Sequence, residues 1–276
     1  MKLWGDLEIG TVLTHIHTRF RAWRNSCDRL FLVLLLVNVI LGFLWLDKPE
    51  GALIFDEKYY VNVARNLLRL PHDPSVYPDA ALGVDPNREH PFLAKGIVAL
   101  SMWLLGDDAW GWRTPSVIFG AISLSAFYLL TKRLSRSDEM ALVASFLFSF
   151  SNLSFVHSRI ATLDIFMLGF MMVSFHFYAA GRNYLSALFM ALSTLSKITG
   201  VFGFLVIIIF HFAENLIRGG EKLDGRSMLG WLREYAVTYA ASVLLLLTVF
   251  DRIWAGYINP LDHISYMYNI HSTLTR

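Results

Sequence analysis

The sequence predicts an all-α, polytopic membrane protein with about seven transmembrane helices and further helices lying in the interface within the first outer loop. Three observations carry this. Of the 276 residues, 55% are hydrophobic and only 17% charged, with a mean hydropathy of +0.47, outside the range of soluble globular chains. The apolar residues gather into runs approaching the roughly 20 residues that a helix needs to cross the hydrocarbon core. Only one of the polar stretches between those runs is long, and it contains amphipathic pieces of its own. A net charge of +2 with scattered basic residues leaves no footprint for nucleic acid, and the single cysteine, Cys27, precludes an internal disulfide.

Taken in order, residues 1–29 read as a cytoplasmic segment. Its Arg19, Arg21, Arg24 and Arg29 precede the first apolar run, which makes that run a signal anchor rather than a cleaved leader. Residues 30–276 read as one transmembrane module. Spans are expected near Leu30 to Leu46, Trp112 to Leu134, Met140 to Ser154, Ala161 to Ala180, Tyr184 to Ser196, Thr199 to Phe212 and Tyr235 to Ile253. The third, fifth and sixth are short enough to be tilted or re-entrant. The inner turn "TKRLSRSDE" is basic, which sets the N-terminus inside and the first outer loop, 47–111, together with the C-terminus, outside.

Within that loop, Val63, Ala64, Leu67 and Leu68 recur at helical spacing, with Lys58, Asn62, Arg65, Asn66 and Arg69 on the opposite face. A second piece, "HPFLAKGIVALSMWLLG", has Pro91 at its start and Gly106 as a stop. Both read as interfacial helices. They flank Asp56 and Glu57, an acidic pair that is either a set of helix-start carboxylates favoured by the macrodipole or the core of a site.

Other charges fall at the same level. Arg113 opens the second span, Arg159 and Asp164 the fourth, Lys197 stands between the fifth and sixth, and Lys95 lies on the interfacial helix. A charge at membrane depth is costly unless paired or hydrated, so each is a site candidate. Bland readings stand beside these: an Arg159–Asp164 ion pair, snorkelling by Lys95 and Lys197, and interface anchoring by Arg113. His90 is the histidine best placed for site chemistry, in a capping or hydrogen-bonding role rather than metal ligation.

The order of the motifs "FDE", "EHPFLAK", "WRTPSVIFG", "SRIATLDIFM", "LSKITG" and "NPLDHISYMYN" resembles the protein O-mannosyltransferases, membrane glycosyltransferases of the C superfamily. The resemblance implies transfer of a sugar, mannose in this branch, from a polyprenyl or dolichyl phosphate to a hydroxyl acceptor, a protein Ser or Thr, on the extracytoplasmic side with inversion. It implies Asp56 as the base or hydroxyl-orienting carboxylate, with Glu57 in support. Arg113, Arg159, Lys197 and Lys95, in that order, are the candidates to hold the donor phosphate. No cofactor is expected, and the sequence leaves a divalent metal open. Phe92 stands where the family more often shows a second proline. Full-length members continue beyond seven spans, so the chain resembles their N-terminal module, and acceptor binding would then draw on a missing part or a second subunit. Two alternatives stay open: transfer of a pentose or aminosugar to a lipid or glycan, and a non-catalytic lipid-phosphate-binding or transport protein. A transporter would carry its charges near the midplane rather than at one face.

Overall fold

A computed structural model describes residues 26–218 and 225–274; most of the expected N-terminal segment lies outside them. The described residues are all-α, in eleven helices: α1 (Ser26–Phe43), α2 (Glu57–Leu67), α3 (Leu93–Leu105), α4 (Ala109–Ser135), α5 (Asp138–Ser149), α6 (Asn152–His157), α7 (Leu163–Ala179), α8 (Asn183–Ser196), α9 (Val201–Arg218), α10 (Gly225–Phe250) and α11 (Pro260–Leu274). A 3-10 turn, Ile198–Gly200, enters α9, and a π-turn, Asp251–Ala255, leaves α10.

Four stretches are long and apolar enough to cross a membrane: Ser26–Phe43, Ala109–Ser135, Ile198–Ile217 and Met228–Ala255. Leu93–Leu105 and Leu163–Ala179 are apolar but shorter. A helix lies at each of the seven expected places, yet three fall outside the long class. The third is broken where α5 ends at Ser149 and Ser151 caps a new helix, accepting from the Ser154 amide. The fifth, α8, has 14 residues, about 21 Å at 1.5 Å per residue. The fourth, α7, has 17.

α4 and α7 form the spine. α7 packs along α4 on one side and α8 on the other, α8 carries α10, and α3 with α2 lies across the start of α4. Their close approach depends on small residues: a Cβ on Gly120 of α4 would sit 2.5 Å from the Ser158 Cβ, so this glycine lets the turn after α6 seat directly on α4. Asp108 caps α4, accepting from the amides of Trp110 and Gly111 at 2.9 and 3.0 Å, which satisfies two of the donors a helix start leaves open.

A hydrophobic core joins Tyr60, Val61 and Ala64 of α2 to Val98 and Met102 of α3, Trp112 of α4, and Ile165 and Phe166 of α7. This core fixes the first loop on the bundle end. Trp45, Trp103 and Trp110, at the end of α1, the end of α3 and the start of α4, are exposed there, the pattern of an aromatic interface belt. α3 stops at Gly106 as the sequence leads one to expect, with φ of 105°. The polar face expected for α2 is not all exposed: Asn62 and Asn66 are buried. The chain after α2 folds back over them, Asn66 donating to the carbonyls of Ala81 and Val84 and Asn62 accepting from the Asp73 amide.

Candidate active site

The two adjacent carboxylates part company at the start of α2. Glu57 turns inward and is fully buried. Its Oε1 accepts from Arg113 Nε at 2.7 Å and the Ala161 amide at 2.9 Å, and its Oε2 from Arg113 Nη2 at 2.7 Å and the Ile54 amide at 2.9 Å. Arg113, equally buried, donates in addition to the carbonyls of Leu46, Lys48 and Ala52. All five of its N–H donors are therefore spent. Expected as a donor-phosphate cation or an interface anchor, Arg113 is instead a bidentate clamp that ties the segment after α1 to α2, α4 and the turn before α7, because only a planar guanidinium can serve a carboxylate and three carbonyls at once.

Asp56 precedes the helix, half-exposed. Its side chain makes no capping bond and meets no hydrogen-bond partner among the described residues. Burial first, then the charges of Asp56, Asp164 and Glu89, push the ionisation of the Tyr60 hydroxyl far up. Phe55, one residue earlier, takes φ of 53° in a turn closed by Glu57 N–H donating to the Ile54 carbonyl at 3.1 Å. A side chain there is strained by about 1 to 3 kcal/mol, and the Glu57–Arg113 clamp on both flanks holds it.

Asp164 and Lys197 form the second half of the cluster. Lys197 Nζ donates to Asp164 Oδ1 at 2.7 Å, and the pair keeps partial exposure. His157 Nδ1 lies 2.8 Å from Thr162 Oγ1 and 3.8 Å from Asp164 Oδ2. The expected Arg159–Asp164 pair is not formed. Arg159 points the other way, donates to the Leu44 carbonyl and, with Lys48, lines a groove of about 290 Å³ whose other walls include Trp45, Ile54, Phe155 and Val156. Arg159 and Lys48 thus share a groove whose remaining lining is apolar, whereas Lys197 pairs with a carboxylate.

Lys95 does not snorkel. It is fully buried, 2.5 Å from Asp85, and donates to the carbonyls of Asn87 and, at 2.8 Å, His90, so it pins the loop before α3 rather than facing a ligand. His90 is buried beside it, its ring 5.2 Å from that of His271. Burial first, then the charges of Lys95 and Lys197, press its imidazole down to about 3, leaving it neutral. His263 Nδ1 lies 2.7 Å from Asp251 Oδ1 and its Nε2 2.9 Å from the Arg88 carbonyl. Both ring nitrogens face acceptors, and the π-turn carbonyl of Trp254 accepts from the Asp85 amide.

Of the residues singled out in the sequence, the structure pairs Asp164 with Lys197 and sets Arg159 on a groove; Phe55, Lys48, His157, Asp85, Asp251 and His263 are not among them. Asp85 and Lys95 lie ten positions apart across a helix start, and Asp251 and His263 straddle two elements, so no periodicity announces either pair. The "FDE" and "VHSR" stretches are the available signal for Phe55 and His157. Among the described residues no group of three or more His, Cys, Asp or Glu is arranged to hold a metal.

The sequence profile of the family described as dolichyl-phosphate-mannose-protein mannosyltransferase matches residues 89–249. That stretch includes Lys95, Arg113, Arg159, Asp164 and Lys197 but begins after the acidic pair. Among curated proteins, the chain is 33% identical over 138 residues to a polyprenol-phosphate-mannose–protein mannosyltransferase of Mycolicibacterium smegmatis, covering 49% of this chain and 26% of that protein. Proteins of the same description from Corynebacterium glutamicum (33% over 126 residues, 44% of this chain and 23% of that one) and Mycobacterium tuberculosis (30% over 125 residues, 45% and 23%) are also similar. The matches span about a quarter of those relatives' length. No solved structure shows significant similarity to the chain.

Proposed function

The chain belongs to the dolichyl-phosphate-mannose-protein mannosyltransferase family, and from that premise we propose that it transfers mannose from a polyprenyl phosphate to a Ser or Thr hydroxyl of a protein on the extracytoplasmic side of the membrane. The observation that carries the reading is the divergence of the acidic pair: Glu57 is saturated by four donors, whereas the Asp56 carboxylate is half-exposed and makes no capping bond.

In the proposed step the acceptor oxygen attacks the anomeric carbon as its proton passes to Asp56, and the bond from that carbon to the phosphate oxygen breaks with its electron pair leaving on the polyprenyl phosphate. A hydroxyl is a weak nucleophile at neutral pH, so a carboxylate within hydrogen-bond reach accelerates the attack by about 10² to 10⁴. The leaving phosphate needs fixed positive charge rather than an acid. Arg159 would supply it, since the groove that it and Lys48 line has otherwise the apolar walls a lipid phosphate requires, and Lys197 would supplement it from the Asp164 side. Attack from the Asp56 side with departure toward the groove would invert the anomeric centre. The seven-span arrangement belongs to this reading, with the α5–α6 pair, α7 and α8 crossing as shorter segments beside the four long ones.

Incubating the detergent-solubilised chain with labelled polyprenyl-phosphate mannose and a Ser/Thr-rich peptide tests the proposal. Label on the peptide with inverted linkage is the expected result. Release of free mannose alone, or no turnover with this donor while another polyprenyl-phosphate sugar is consumed, overturns it.

A further inference from the structure

The groove that holds Arg159 and the cluster that holds Asp56 meet at one corner, and that corner is aromatic. Ile54 and Val156 both line the groove. The residue after each, Phe55 and His157, turns toward the other, their rings edge to face with centroids 6.4 Å apart. His157 belongs to the Asp164 cluster and Phe55 is bonded to Asp56, so this ring pair stands between the cation of the groove and the open carboxylate.

Phe55 is unusual on two independent counts. The residue is 67% exposed, although Glu57, two positions on, is fully buried. Its backbone has φ of 53°, followed by an Asp56 at φ −77° and ψ −5°, the signs of a type II′ turn in which glycine is the usual first central residue. A ring is thus held where a glycine would sit without strain, projecting into open space beside the site rather than packing.

Resting on the polyprenyl-phosphate sugar reading above, we propose that Phe55 is the platform on which the donor's hexopyranose ring lies, with the His157 edge setting its lateral limit. A pyranose chair presents a face of C–H bonds carrying slight positive charge, and the face of a phenyl ring carries the negative lobe of its quadrupole, so the two stack. A sugar seated there has its phosphate directed to Arg159 on the groove side and its anomeric carbon within reach of an acceptor approaching from the Asp56 side. Phe55 would act on the sugar and leave the phosphate and polyprenyl chain alone.

The test is a binding comparison on the full chain in detergent, using polyprenyl-phosphate mannose and polyprenyl phosphate without the sugar, alongside a thermal melt. The wild type should prefer the sugar-bearing lipid by about tenfold, the worth of one good aromatic contact. Phe55→Ala and Phe55→Gly should both lose that preference while binding the bare lipid phosphate normally, and Phe55→Trp should keep it. Glycine relieves the turn without supplying a ring, so a glycine variant that retains the preference would show that only the backbone matters and would sink the idea. Retained preference in Phe55→Leu would also overturn it, making the side chain a mere apolar contact with the bilayer. If the wild type binds neither lipid, the functional reading fails and takes the platform with it; if it binds both and Phe55→Ala still prefers the sugar, the platform alone falls.

Discussion

The end of the bundle near α2 holds two kinds of ion pair, and they differ in every physical respect. Glu57 with Arg113, and Asp85 with Lys95, are buried, with exposures of 2% or less on all four side chains, and their remaining donors are spent on backbone carbonyls. Asp164 with Lys197 is partly exposed, and the Asp56 side chain makes no capping bond. The first kind fixes the shape of the loop; the second keeps charge available to a ligand. Burying an ion pair gains stability only when every leftover donor and acceptor is satisfied, and the Arg113 clamp meets that condition. Under the proposed function the Asp164–Lys197 pair would have to exchange partners with substrate, and such a pair cannot meet it.

The largest effects should come from opening the buried pairs. Arg113→Ala leaves Glu57 charged and buried, a loss of about 3 to 5 kcal/mol, and the expected outcome is little folded protein and a collapsed melting transition in detergent. Glu57→Gln should behave similarly. If either variant melts normally, the clamp is not what organises the loop. Next in size, Asp56→Asn should lower turnover by about 10² to 10⁴ with an unchanged melt. That split between stability and rate at two adjacent positions is the sharpest form of the comparison, and near-normal turnover in Asp56→Asn would blur it.

Smaller effects should follow on the ligand-facing side. Arg159→Ala removes one charge-assisted bond, worth about 1.5 to 3 kcal/mol, so affinity for the polyprenyl phosphate should drop at least about tenfold, and lysine at that position should restore it only in part because it cannot grip two phosphate oxygens. Asp164→Asn should cost the fold no more than about 1 kcal/mol, since the pair is partly exposed; a larger drop in the melt would move it among the buried clamps.

The last expectation concerns acid. His90 is held neutral in the folded chain down to about 3, whereas an unfolded histidine takes up a proton near 6.5. Between those values the unfolded state binds more protons, so stability present above pH 6.5 is lost as pH falls through that window, at up to about 1.4 kcal/mol per unit from this residue. Comparing acid unfolding of the wild type and His90→Gln measures it: the glutamine variant should show a shallower acid limb, and an identical limb would remove His90 from the account.

Much of the fold was legible because apolar runs, proline starts and glycine stops are local signals. Pro91 and Gly106 bracket α3 correctly, and Lys197 falls at the α8–α9 junction as its position after an apolar run suggests. The break at Phe150 and Ser151 was not legible, since hydropathy averages across a serine cap. The acidic pair stood out, but which carboxylate would be spent was not readable, for that depends on Arg113 and the Ala161 amide, 56 and 104 positions away. Asn62 and Asn66 read as solvent-facing because the chain that covers them forms no periodic element.

The Glu57 clamp also bears on how the molecule comes to be assembled. Two of its four donors come from α4 and a third from the turn before α7, segments made after the loop they organise. While a ribosome is still feeding α4 and α6 into the bilayer, the loop around Asp56 lacks the contacts that hold its strained turn. It reaches its final form only when residue 161 has arrived, so a nascent chain does not present a finished pocket to lipid phosphate before the spine of the bundle is in place.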